Sequence, residues 1–264
     1  MSGHRFLFLG GLHRSGTSIL HRLLREHPDT SGFSGSGARE DEGQHLQSVF
    51  PAANAFGGPG RFAFDPAASL LSEPGLRTAQ SRERLLREWG AYYDLGKPVF
   101  LEKSPPNLIR STYFRALFPG SRFVFIVRHP ICVALATRKW SKSSILELLL
   151  HWAVAHRRMA LDIEHGADTI LLRYEDLVAA PQALVDRITE QAGLRPFTPQ
   201  GTVEDRNPPY FNHWVDECRP EAEIAASAAP ELAGPMEWCG YSLEPPFVTR
   251  IAPGPLTWVE PQSN

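Results

Sequence analysis

Between Gly10 and Ser18 the chain reads GGLHRSGTS, directly after the apolar run Phe6–Leu9 and before Ile19, Leu20, Leu23 and Leu24 at helical spacing. A strand that breaks into a glycine loop and then starts a helix leaves backbone N–H groups free at the turn. The helix dipole adds positive potential at the same point. Ser15, Gly16, Thr17 and Ser18 are therefore placed to bind an anion, and Arg14 supplies a full charge beside them. The spacing from Gly11 to Gly16 is that of a nucleotide P-loop. Thr17, however, stands where such a loop carries its lysine, and the cation comes earlier, at Arg14.

The elements that must hold this corner follow from the apolar pattern. KPVFLEKS, RFVFIVRHP and TILLRYEDL read as further strands, and the continuous run from Phe123 to Val127 suits an interior parallel strand covered on both faces. Helices are expected over residues 78–94, over PPNLIRSTYFRALFPG, from Pro130 to Trp140, over SSILELLLHWAVAHRRMALDIEHG up to Gly166, and over PQALVDRITEQAGL. Strands alternating with helices imply right-handed crossovers, so the expected fold is α/β. We expect a single domain over residues 1–264, with a central parallel sheet flanked by helices and a P-loop-like nucleotide-binding corner. Residues 29–80 are rich in Gly, Ser, Pro and Ala and read as a long loop whose charged island is REDEGQHLQSVF. Beyond residue 196 the pattern assigns no elements.

Ligands of open parallel sheets sit beyond the carboxyl ends of the strands. The second readable strand delivers Glu102, Lys103 and Ser104 there, the third Arg128 and His129, and the fourth Arg173, Tyr174, Glu175 and Asp176. Three cations beside a glycine loop point to a polyanion. A kinase or NTPase would need a lysine at position 17 and an acid at the tip after FVFIV to help hold magnesium. The residues there are Thr17 and Arg128, which suits phosphate groups without a metal. A net charge of −2 gives no global field for nucleic acid, so the anion site must be local. No apolar run reaches the length of a membrane span, and the N-terminal run lacks the features of a signal peptide. Cys132, Cys218 and Cys239 follow no metal-ligand spacing and suit a reducing cytoplasm.

HRSGTS, EKSP, LFPGSRFVFIVRHP and LLRYEDLVAAPQALVDRITEQAGL stand in the order found in PAPS-dependent sulfotransferases, PAPS being 3′-phosphoadenosine 5′-phosphosulfate. Over about residues 5–194 the chain resembles that family, with RSGT in the manner of its bacterial and tyrosylprotein-like branch. The resemblance implies in-line transfer of a sulfuryl group from PAPS to a hydroxyl acceptor (glycan, lipid, peptide or small natural product), with PAP released and no metal required. It implies that the Arg14–Ser18 loop cradles the 5′-phosphosulfate, that Arg128 binds the 3′-phosphate, and that Tyr174 packs near the adenine. Lys103 would lie beside the transferred group, with Arg14 as a second cation on the leaving side. A glutamate base is implied within AREDEGQHLQ: Glu42 by its match to the family's acids, with Glu40 and His45 as alternatives. Nearby cations are expected to hold the Glu42 pKa down. The family's serine eight residues after the arginine is Ala136 here, so Thr137, Ser141 or a backbone group would take its place. In NPPYFNHW, residues 207–214, the aromatics Tyr210, Phe211 and Trp214 are expected either in an acceptor pocket or in the core. A non-catalytic PAP-binding module is a second reading, but it would have no need of Lys103 and the acids.

Overall fold

The apolar runs become the strands of one parallel sheet. In the computed structural model, which describes residues 3–163 and 168–249, the strands are β1 (Arg5–Gly10), β2 (Thr30–Gly32), β3 (Val99–Lys103), β4 (Arg122–Val127) and β5 (Thr169–Arg173). They pair in the order β2-β3-β1-β4-β5, every pair parallel. In β1 and β4 every residue after an exposed leading arginine is buried, as two-sided coverage requires. Alternation along β1 sorts the two cores. Phe6 and Phe8 join Phe100, Phe114, Phe123 and Trp152 on one face. Leu7 and Leu9 join Leu23, Leu101, Val124 and Ile188 on the other.

The crossovers are α1 (Thr17–Arg25) after β1, α2 (Ala79–Gly90) before β3, α3 (Ser111–Leu117) before β4, and α4 (Pro130–Arg138) with α5 (Ile145–Ile163) before β5. α6 (Tyr174–Ala179) and α7 (Pro181–Gln191) follow β5. The chain leaves β1 towards β2 and later crosses back to β4, so direction reverses between β1 and β4. That reversal opens a crevice at their carboxyl ends.

Several boundaries differ from the sequence reading. β2 was not anticipated, because its three residues, TSG, carry no apolar signal and pair through backbone alone. The stretch read as one helix from Pro105 is a 3₁₀ segment, Pro105–Ile109, followed by α3. The strand read over TILLRYEDL stops at Arg173, where α6 takes over. The expected end of the long helix at Gly166 lies outside the described residues. The unassigned C-terminal region forms α8 (Pro208–Glu217), α9 (Arg219–Ser227) and α10 (Ala229–Cys239), with α8 against α4 and both others against α5. Among the described residues no helix is long and apolar enough to cross a membrane.

The long segment between β2 and α2 is a chain of short 3₁₀ turns over buried Phe33, Phe50 and Phe62. Arg110, fully buried, holds it from below. Its Nε donates to the Ala68 carbonyl at 2.9 Å and its Nη2 to the Pro51 carbonyl at 3.2 Å, with Phe50 beneath the guanidinium. Arg110→Ala would strand two buried carbonyls and leave a void. We expect it to lower stability by about 3 kcal/mol in urea unfolding and to open the 46–78 segment to protease first.

Candidate active site

The glycine loop is built to leave donors free. Ser15 turns both its N–H and its hydroxyl onto the Leu12 carbonyl, at 3.0 and 2.6 Å, which closes the loop. Gly16 then caps α1 in the left-handed region, φ 103°, and no side chain caps the helix. The first N–H groups of α1 are thus open to a ligand. Only glycine fits at position 16, since a Cβ would also sit 2.9 Å from the Tyr174 ring. Thr17 and Ser18 line the cleft that opens here, whereas the buried Ser15 shapes the loop from inside.

Two cations are anchored by backbone carbonyls next to this loop. Arg128, 5 % exposed, donates from Nη1 to the Arg14 carbonyl at 2.8 Å and from Nε to Asn207 at 2.8 Å. Its guanidinium stacks 4.4 Å over Tyr174, and its Nη2 is buried without a partner. A buried charged donor left unpaired is costly, so Nη2 is poised for an anion. Tyr174 is itself fixed, donating to the Glu204 carbonyl at 2.8 Å and accepting from the Arg206 N–H at 3.1 Å. Lys103, 1 % exposed at the end of β3, donates to the Glu40 carbonyl at 2.5 Å and lies 3.5 Å from Ser18 Oγ and 3.7 Å from Glu42 Oε1. Arg14 and Glu40 present these carbonyls from left-handed backbones, φ 71° and 54°. The Arg14 guanidinium lies 4.6 Å over Trp140.

Glu42 is buried and accepts from Gln44 Nε2 at 2.5 Å, with His45 Nε2 3.7 Å away. The expectation that cations depress its pKa is corrected: burial pushes the carboxyl up and outweighs the pull of Lys103. His45 is pushed down by burial and by Arg39, and it does not line the cleft. Glu40 lines it, 3.4 Å from Ser18 Oγ. The cleft, about 1350 Å³, brings Arg14, Gly16, Thr17, Ser18, Glu40, Glu42, Arg128 and Tyr174 to one surface, with Lys103 directly behind.

Thr137 departs from the expectation. Its hydroxyl is buried without a partner on a separate small cavity, and it does not reach the cleft. Ser141 accepts from the Ser143 N–H at 3.2 Å and does not line the cleft either. Arg173 is withdrawn from ligand duty by a two-pronged bond to Asp176, at 2.6 and 2.8 Å, and a bond to the Cys239 carbonyl. Tyr210 lines the cleft, Phe211 stacks on Phe247, and Trp214 is buried. The sequence reading missed His13, Lys139, Trp140, Arg206 and His213 as cleft residues. Only His13 had a signal, its place inside the glycine loop. Among the described residues no group of three or more His, Cys, Asp or Glu side chains is arranged for a metal.

The sequence profile of the sulfotransferase family matches residues 7–199. The chain belongs to the sulfotransferase family. It is similar in structure to a sulfotransferase from Alicyclobacillus acidocaldarius, with a TM-score of 0.53 and 19% identity over 88% of this chain and 94% of that one. It is similar also to the sulfotransferase STF9 from Mycobacterium avium, with a TM-score of 0.52 and 15% identity over 75% of this chain and 66% of that one. At such identities the likeness shows the fold, an α/β sheet flanked by helices. The enzyme is a PAPS-dependent sulfotransferase. Its corner fits such a donor on two independent grounds: an uncapped helix N-terminus for one anionic group and the unpartnered Arg128 Nη2 for another.

Beneath the cleft Glu102 is fully buried, and burial raises its pKa from the ordinary 4.5 to about 7. A carboxyl raised on folding adds stability that is complete below its ordinary pKa and is lost as pH rises through about 7. In this sulfotransferase, Glu102→Gln should flatten the loss of stability between pH 5 and pH 8, as read by urea unfolding at the two values. An unchanged slope would mean that Glu102 stays ionised throughout.

Proposed function

We propose that this sulfotransferase moves a sulfuryl group from PAPS to an acceptor hydroxyl with Glu42 as general base and Lys103 as the cation at the reacting centre. One observation carries the reading. Glu42 and Lys103 are paired at 3.7 Å in the wall that faces the open N-terminus of α1. PAPS supplies the activated sulfuryl group. In the transfer the S–O bond to its 5′-phosphate breaks, a bond to the acceptor oxygen forms, and the acceptor proton passes to Glu42. The N–H groups at Gly16–Ser18 and the Arg14 guanidinium would hold the 5′-phosphosulfate, and Arg128 Nη2 the 3′-phosphate, with Tyr174 beside the adenine. A carboxylate whose pKa is raised by burial is a better proton acceptor than an exposed one, and Lys103 keeps it in place. Ser15 shapes the loop, Glu40 holds Lys103 through its carbonyl, and His45 flanks Glu42. The 195–249 region takes part in the same unit, since Asn207 orients Arg128 and Tyr210 lines the cleft.

Two expectations test this. PAP should raise the Tm in a thermal-shift assay, whereas ATP with magnesium should do far less because it offers Arg128 no 3′-phosphate. Equal stabilisation by ATP, abolished by EDTA, would replace the donor with a nucleoside triphosphate. Steady-state kinetics with labelled PAPS, once a screen of glycan, lipid, peptide and small-molecule hydroxyls has supplied an acceptor, separates the roles. Arg128→Ala should raise the donor KM; Lys103→Ala and Glu42→Gln should lower kcat by roughly 10²-fold or more with PAP affinity kept. In wild type, kcat/KM should fall on acidification at a pH above the usual carboxylate range, because Glu42 must be ionised to act and its pKa is raised. Near-normal turnover in Glu42→Gln, with Glu40→Gln inactive, would move the base to Glu40.

A further inference from the structure

His13 stands in the glycine loop next to Arg14, and nothing in the reaction described so far uses it. Its ring forms part of the cleft wall and meets Phe62 edge-on, with centroids 5.9 Å apart. Nδ1 is buried and has no protein partner. The same is true of Thr137 Oγ1, and both residues line one cavity of about 10 Å³ whose other walls are Leu12, Gly60, Val133, Ala134, Leu148 and His151. Roughly 10–15 Å³ of such space holds a single water, provided that it finds at least two polar partners. The cavity therefore has room for one water, and the two unpartnered atoms are its natural contacts. A water held there by Thr137 and donating to Nδ1 would fix the imidazole tautomer with its proton on Nε2. Nε2 is then the protonated nitrogen of a ring that also lines the cleft.

We propose that His13 is a catalytic hydrogen-bond donor, its Nε2–H aimed at an oxygen of the sulfuryl group in flight, with Thr137 as the positioning residue behind it. The assignment rests on the sulfuryl-transfer reading above. A proton-accepting role is disfavoured: burial, with Arg39 and Lys103 nearby, lowers the His13 pKa to about 3, so the ring stays neutral and is a poor base. A neutral donor is suited to this wall. Arg14 and Lys103 already supply the charge, and a fixed N–H adds direction to the stabilisation of charge that builds on the sulfuryl oxygens. The reaction balance is unchanged, since His13 donates a hydrogen bond and transfers no proton.

The test uses the full-length enzyme and needs no acceptor beyond water. PAP release from PAPS is followed, and PAP affinity is measured separately by calorimetry. PAP carries no sulfuryl group, so a donor to that group contributes nothing to PAP binding. His13→Ala should slow PAP release about 10²-fold with PAP Kd unchanged, and His13→Gln, which keeps an N–H donor, should recover at least about tenfold of that loss. Thr137→Val should give a smaller loss, again with PAP Kd kept, and Thr137→Ser should restore it. Unchanged turnover in His13→Ala overturns the proposal. So does equal slowness of His13→Ala and His13→Gln, or a parallel loss of PAP affinity, which would make His13 a structural part of the loop. A wild-type enzyme that binds PAP but releases none from PAPS, even with hydroxyl acceptors added, would overturn the transfer reading and this assignment with it. Wild-type turnover matched by His13→Ala removes His13 alone.

Discussion

A lysine with 1 % of its surface exposed must have its ammonium solvated by the protein, and Lys103 imposes that demand on everything around it. Leaving such a charge unpaired costs several kcal/mol. The 39–45 segment answers by folding over the end of β3 and bringing the Glu40 carbonyl and the Glu42 carboxylate to Nζ. Glu40 must enter the left-handed region to do so, at a cost on the order of 1 kcal/mol, well below that of a naked buried ammonium. The comparison of magnitudes decides the conformation. Arg14 repeats the device on the other side of the cleft, turning a left-handed backbone so that its carbonyl meets Arg128. At Arg14 and at Glu40, a left-handed backbone thus stands where a backbone oxygen holds a buried cation.

Glu42 is positioned by the same strand end. Ser104 Oγ donates to Glu102 at 2.7 Å and accepts the Gln44 N–H at 3.0 Å, while Asn107 donates to the other oxygen of Glu102. Trp89 reaches the Gly43 carbonyl at 2.9 Å from the far side. Gly43 lies so close to the Glu102 carboxylate that a Cβ would collide with it. Glu42, between the left-handed turn and this pinned glycine, has little freedom. Its elevated pKa is then a consequence of where the backbone has been fastened, with the carboxylate held too deep for water to favour its charge.

What the sequence revealed, and what it hid, follows from the range of the interactions. β1, α1 and β4 were legible because continuous or helix-spaced apolar residues are local signals. The four strand-end motifs were legible because their chemistry lies within a few residues of each strand. β2 was hidden, since Thr30–Gly32 pairs with β3 by backbone alone. Residues 29–80 read as loop because their order comes from distant partners, Arg110 above all, and their buried phenylalanines keep no period. The pKa of Glu42 was read in the wrong direction because sequence shows neighbouring cations but not burial. Thr137 was sought at the 3′-phosphate because it follows Ala136, yet one helical step turned its hydroxyl into the small cavity behind His13.

The aim of Arg128 is set by a residue that strand-end reasoning could not reach. Asn207 accepts from Arg128 Nε and, through Nδ2, donates to Glu175 at 2.8 Å. Glu175 also takes the Tyr241 hydroxyl at 2.6 Å and the His129 N–H at 3.2 Å, while His129 Nε2 donates to the Ser242 carbonyl at 2.9 Å. A buried carboxylate at the start of α6 therefore gathers the end of β4, the start of α8 and the end of α10 into one polar network. With Nε on Asn207 and Nη1 on the Arg14 carbonyl, the guanidinium cannot rotate without breaking a buried bond, and Nη2 is the edge left for an anion. Docking of the C-terminal helices and orientation of the Arg128 guanidinium are accordingly one event. Loss of the network at Glu175 would be felt at Arg128 even though Glu175 itself does not line the cleft.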